Sequence, residues 1–269
     1  VSIVSVSVYP DLVTLLAKGA KLFGLSLTNI LGGFTTGEIS DLYINLFTPA
    51  GITFSIWSVI YAYLLIFALY VLGVFRKSSN AIIEKIGKPF ILSCICNIAW
   101  MFSWQYQLIW LSLIFMIVLF LSLATIVMRL KATPLSTKEM WLVKVPFSIY
   151  FGWITVATVA NITVFLVSIG WNGFGFNDPF WMIIIASVAS LIGIITTLVN
   201  KDFFYGLVFV WAYAGILFKH LSPWGFAGMF QGVIITVSIA IALEFIAAII
   251  ALGLSISENK IPYRSERDR

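Results

Sequence analysis

Seven stretches of this chain are apolar for long enough to cross a bilayer, and that limits its fold more than any other feature. They lie at about 52–74, 89–106, 108–129, 143–169, 179–199, 203–219 and 226–254. A hydrocarbon core about 30 Å thick takes about 20 residues of helix. Backbone polar groups at that depth must be satisfied within a helix or a closed barrel. The short alternating strands of a barrel are not found in the sequence. Hydrophobic residues make up 61% of the 269 and charged residues 10%, more apolar surface than a water-soluble domain of this length can bury. The chain reads as an all-α, multi-pass integral membrane protein, in a membrane that the sequence does not specify.

An eighth stretch, at about 11–33, is interrupted by Lys18 and Lys21. It is either a span whose lysines snorkel to one surface or an amphipathic helix lying on the membrane. Charge favours the span. With eight alternating spans, one side receives Arg76, Lys77, Lys85, Lys88, Arg129, Lys131, Lys138, Lys144, Lys201, Lys260, Arg264, Arg267 and Arg269, which is 13 of the 16 basic residues. The other side receives Glu38, Asp41 and Asp178, with Lys219 as its one clear base. This is the asymmetry that sets membrane orientation, and it places both termini on the basic side. The net charge of +5 is then a topology signal with attraction to anionic lipid, and no nucleic-acid partner is implied. The start, VSIVSVSVYP, carries no initiator Met and no evident cleavable signal, as expected of a processed or partial chain.

Reactive groups are sparse. Cys94 and Cys96 are two apart in one span, which directs them to nearly opposite helix faces. They read as small packing residues. His220 is the single histidine, which argues against a multi-histidine metal site or a bis-histidine haem. Neither a Gly-rich phosphate loop nor a nucleophile–base set stands out, so an enzyme is the weaker expectation. Lys219 lies at a membrane edge without an evident counter-ion, unlike a Schiff-base lysine. Glu244 is the one carboxylate well inside a span, and an intramembrane acid is a candidate functional site. It is expected to face protein.

The polar segment GGFTTGEISDLYINLFTPAG, residues 32–51, is long for a tight connection. It is either a lid or a plain surface loop. Beyond it, three spans carry aromatic stripes at helical spacing: Phe54, Trp57 and Tyr61 on one; Ser93, Asn97, Trp100 and Trp104 on the next; Tyr150, Trp153, Ala157 and Asn161 on a third. Asn in mid-span must meet protein, water or ligand, so the neighbouring Trp faces turn inward with it. Chain direction puts Trp57, Asn97, Trp100 and Asn161 about 7–12 Å below the less basic surface, at about 1.5 Å per residue. The stripes define either a pocket or interhelical packing. Trp110, Trp141, Trp171, Trp181 and Trp224 fall at span ends and read as interface anchors.

These stripes resemble the TspO/MBR family, the translocator proteins or tryptophan-rich sensory proteins. The matching residues are FTPAGITFSIWSVIY with Pro49, Phe54, Trp57 and Tyr61; NIAWMFSW with Asn97 and Trp100; and VPFSIYFGWITVATVANIT with Pro146, Trp153, Ala157 and Asn161. Phe147 stands near the family's aromatic place after the proline, and the Pro–Trp spacing is slightly longer. GFTTGEISD is similar to the larger, tryptophan-rich members. The resemblance covers about residues 11–170 and implies a five-helix bundle with a pocket for tetrapyrroles, sterols and aromatic ligands. It implies ligand contact by Phe54, Trp57, Tyr61, Asn97, Trp100, Trp153 and Asn161.

The chain then divides into a five-helix unit over 1–170, three additional spans over 171–255 and a basic tail over 256–269. Gly228 and Gly232 form a GxxxG, a weak sign of close helix packing. Two functions follow as expectations. One is a membrane binding protein or carrier for a flat hydrophobic ligand, a tetrapyrrole or sterol-like lipid. The other is a structural or accessory subunit of a larger membrane complex or homo-oligomer that reuses the fold. Membrane lipids are partners in either case.

Overall fold

The computed structural model describes residues 34–74 and 80–260. The stretch at 11–33, the bases Arg76 and Lys77, and the tail beyond Lys260 lie outside the described residues. Among the described residues a short helix, α1 (Thr36–Leu42), precedes seven helices long and apolar enough to cross a membrane. They are α2 (Gly51–Val71), α3 (Asn80–Gln105), α4 (Ile109–Lys131), α5 (Thr137–Ser168), α6 (Asp178–Asn200), α7 (Phe203–Leu221) and α8 (Gln231–Lys260). All seven match the apolar stretches of the sequence. The main shifts are α3, which begins earlier than 89, α5, which begins earlier than 143, and α8, which begins later than 226 and ends later than 254.

Local chemistry accounts for the helix ends and irregularities. Thr35 and Glu38 form a capping box at the start of α1, satisfying two backbone donors reciprocally. Pro89 lies inside α3 and cannot donate to the carbonyl of Lys85. Arg129 Nη1 donates to that carbonyl instead, at 2.6 Å, which ties α3 to the end of α4. In α5 the backbone widens into a π segment at Met140–Lys144 just before Pro146. The proline ring crowds the preceding turn, and the wider turn relieves it. Asn177 caps α6 through its side chain, and Asp202 caps α7.

Helix α3 packs on α4, α4 on α5 and α5 on α2. Helix α7 packs on α5 and α8, and α6 packs on α8. Helices α2 and α3 meet through their rings rather than their backbones. Cys94 is exposed and Cys96 buried, as their spacing requires. The GxxxG expectation fails: Gly228 lies in the α7–α8 turn with φ +76°, outside any helix, so it presents no helix face. That turn folds back on α7, with Gly228 N–H donating to His220 O at 2.8 Å.

Candidate functional site

The three aromatic stripes converge. Trp57 stacks on Trp100 with ring centroids 5.6 Å apart and planes 27° apart. Trp100 stacks in turn on Trp104 at 5.9 Å, and Tyr61 also stacks on Trp57, at 5.4 Å. Trp153 of α5 meets Phe54 and Trp57 edge-on, at 5.8 and 6.3 Å. Tyr150 adds a second edge contact to Trp57. Stacked and edge-to-face pairs of this kind hold ring geometry as well as burying area.

Phe54, Trp57, Trp100, Trp153 and Asn161 all border one pocket, together with Trp104 and Ala157. Tyr61 and Asn97 do not border it. They sit one turn away, where Asn97 Nδ2 donates to Tyr61 Oη at 3.2 Å, and Tyr61 is 45% exposed. Sequence spacing did not single out Met116 on α4 as pocket lining, or Ser112, whose hydroxyl lies 3.3 Å from Asn161 Oδ1. The 3–4-residue offset of Ser112 and Met116 in an otherwise apolar run was the available signal.

Segment 34–50 closes the pocket. Thr36, Ser40 and Pro49 line it, Trp104 Nε1 donates to Thr36 O at 3.1 Å and Gln105 Nε2 to Phe34 O at 3.0 Å. Asn45 organises the turn before Pro49: its Oδ1 accepts from the backbone N–H of Phe47 and Thr48. The remaining cavity is about 30 Å³, room for about one water molecule.

Helix α7 anchors this segment from the far side. Ala50 N–H donates to Gly215 O at 3.1 Å, Trp211 Nε1 to Thr53 O at 3.0 Å, and His220 Nε2 to Leu46 O at 2.9 Å. Lys219 pairs with Asp41 at 2.7 Å.

Three buried donors on the pocket wall have no hydrogen-bond acceptor among the described residues: Trp100 Nε1, Trp153 Nε1 and Asn161 Nδ2. Indole N–H groups can only donate. Elsewhere, Glu244 is fully buried, as its depth in α8 requires. Its Oε1 accepts from Ser190 at 3.2 Å, and Oε2 is unpaired. Gly193 leaves the space it fills: a Cβ at 193 would strike Glu244 and the Phe209 ring. Among the described residues no three His, Cys, Asp or Glu side chains gather as a metal site.

A multi-pass helical membrane protein with an aromatic pocket beneath a capping loop is thus the class that the fold defines. The chain belongs to the family described as TSPO-like protein, whose model matches residues 12–251. That range runs through α6 and α7 and into α8, well beyond the five-helix portion that carries the sequence resemblance. No curated protein and no solved structure matches the chain.

Proposed function

We propose that the aromatic pocket binds a flat, mostly apolar ligand with a hydrogen-bond-accepting edge, a tetrapyrrole or sterol-like lipid, and that the protein is its membrane receptor or carrier. The observation that carries this reading is the set of three unpaired donors, Trp100 Nε1, Trp153 Nε1 and Asn161 Nδ2. A buried donor without an acceptor costs about 1–3 kcal/mol. A carbonyl, hydroxyl or carboxylate on the ligand would satisfy these donors while the stacked indoles cover its faces. Small-molecule sites are typically about 300–1,000 Å³, so binding requires the 34–50 segment to move off the 30 Å³ cavity.

That closure also favours a second reading, a structural or accessory subunit of a larger membrane complex whose rings fill their own pocket. Titration of porphyrins and sterols, followed by Trp fluorescence quenching, separates the two. Trp57→Ala and Trp153→Ala should each weaken binding about tenfold, the loss of one ring contact, while the protein stays folded. If the parent binds none of these compounds, or both variants bind as it does, the rings are packing and the subunit reading stands.

A further inference from the structure

We propose that the cleft between α5 and α6 is a lipid site that holds one acyl chain of a phospholipid from the less basic leaflet, its head group at Asn172 and Asp178. Two cavities make the cleft. One, of about 190 Å³, lies at the membrane surface and is bordered by Asn172 and Asp178. The other, of about 300 Å³, runs deeper between Ile162, Ile184, Val188 and Ile192. Thr163, Leu166, Trp171, Trp181 and Ile185 border both, so the two form one groove. It opens because α6 is held mainly by α8 rather than by α5.

Length identifies the occupant. From Trp181 to Ile192 the groove follows about 17 Å of helix, at 1.5 Å per residue. The hydrocarbon core is about 30 Å across, so the groove begins at one surface and ends near the midplane. That is the reach of a chain from one leaflet. An apolar groove at this depth faces acyl chains, not water or a soluble partner.

The mouth is built rather than incidental. Trp171 and Trp181 pack with ring centroids 5.0 Å apart, and Trp181 Nε1 donates to Gly173 O at 2.7 Å. A Cβ at Gly173 would lie 2.9 Å from that same indole nitrogen, so a side chain there would displace the ring. Phe174 closes against both indoles. Indoles suit the head-group level. Among the described residues Asp178 is the one charged residue on the lining, and its carboxylate favours a head group carrying an ammonium. The groove uses Val159, Ile162, Thr163 and Leu166 of α5, whereas the aromatic pocket uses Trp153, Ala157, Ala160 and Asn161. The two sites therefore use different residues of α5, although Ile44, Asn45, Leu46 and Phe47 of the covering segment border the outer cavity as well.

The test is photolabelling of the full chain in vesicles of phosphatidylcholine carrying a mid-chain diazirine, with the label mapped by peptide mass spectrometry. Label should concentrate on residues 159–192 over the exposed faces of α2 and α3. Val188→Trp fills the groove and should abolish that excess. Leu191→Trp, equally exposed on the same helix but off the groove, should leave it intact. Ile192→Trp at the deep end is a second blocking variant. Unlabelled phosphatidylcholine should compete better than phosphatidylglycerol, and Asp178→Asn should remove the preference. Uniform label along all helices, or equal effects of Val188→Trp and Leu191→Trp, overturns the site. So do chain-to-chain crosslinks through the groove without lipid label, which would make a second copy the occupant. Equal competition by the two lipids overturns the head-group assignment.

Discussion

Gly215→Ala should loosen the clamp that α7 places on the pocket. The Gly215 Cα faces Thr53 in the first turn of α2. A Cβ at 215 would lie 2.7 Å from Thr53 Cγ2 and 2.8 Å from its Cβ, inside van der Waals contact. Thr53 cannot easily yield, since it is 1% exposed and branched at Cβ. Overpacking of this kind costs about 1–3 kcal/mol. The same contact carries the Ala50 N–H to Gly215 O bond and the Trp211 Nε1 to Thr53 O bond, each worth about 0.5–1.5 kcal/mol. If one bond is lost as the helices part, the total is about 1.5–4.5 kcal/mol. Denaturation in mixed micelles, followed by Trp emission, measures it. Thr53→Ala removes Oγ1 and Cγ2 and leaves only the Cβ contact, so adding it to Gly215→Ala should recover part of the loss, with a coupling of about 0.5–3 kcal/mol. An unchanged Gly215→Ala midpoint, or strict additivity of the two substitutions, would refute the clamp.

Two further predictions concern buried acids. Asp202 lies in the link between α6 and α7, where it accepts from Ser148 Oγ and from Tyr205 N–H. Burial pushes its carboxyl up, against the opposing hydrogen bond from Ser148 and the charge of Lys144. A folded-state value above the unfolded value of about 3.9 means that its contribution to stability is full below that pH and is lost as pH rises through the folded value. Asp202→Asn keeps one acceptor oxygen for Tyr205 N–H, its Nδ2 can donate to Ser148 Oγ, and it should remove this slope, read from unfolding midpoints between about pH 4 and pH 8; parallel slopes in parent and variant would count against it. Glu244→Leu removes the acceptor for Ser190 and should cost about 0.6–1.7 kcal/mol, the range for interhelical hydrogen bonds in membranes, whereas Glu244→Gln should be near neutral. Mixed-micelle denaturation decides, and a Leu variant more stable than the parent, with binding unchanged, would mean that Glu244 is not a needed polar contact.

Hydropathy located all seven described long helices because in a bilayer the solvent itself selects helix length and backbone pairing. Helical spacing also found seven of the residues that border the aromatic pocket, Phe54, Trp57, Trp100, Trp104, Trp153, Ala157 and Asn161. It failed by one turn at Tyr61 and Asn97, because a stripe names a helix face but not how far a neighbouring helix covers it. Met116 and Ser112 escaped notice because their helix is otherwise apolar and carries no aromatic stripe. Trp171 and Trp181 read as interface anchors; their pairing over a groove depends on the Gly173 turn, with φ +62°, and on the separation of α5 from α6. Neither is written in periodicity.

The relation of α7 to segment 41–53 bears on how the chain is divided. A boundary at 170 sets α6, α7 and α8 apart from the helices that line the aromatic pocket. Yet Trp211, Gly215, Lys219 and His220 all bond to that one segment, at Thr53, Ala50, Asp41 and Leu46. Trp211, Gly215 and Lys219 fall at intervals of four, a stripe along one helix face, and His220 follows in the last turn of α7. The segment they hold is the one that covers the pocket and aims Phe54 and Trp57. Pro49 suits the start of α2 because it needs no backbone donor, and the next residue, Ala50, spends its N–H on α7 rather than on its own helix. Movement of the cover therefore breaks contacts to α7. On the ligand-binding reading, the additional helices set how readily the pocket opens, and Gly215→Ala should alter ligand affinity as well as stability.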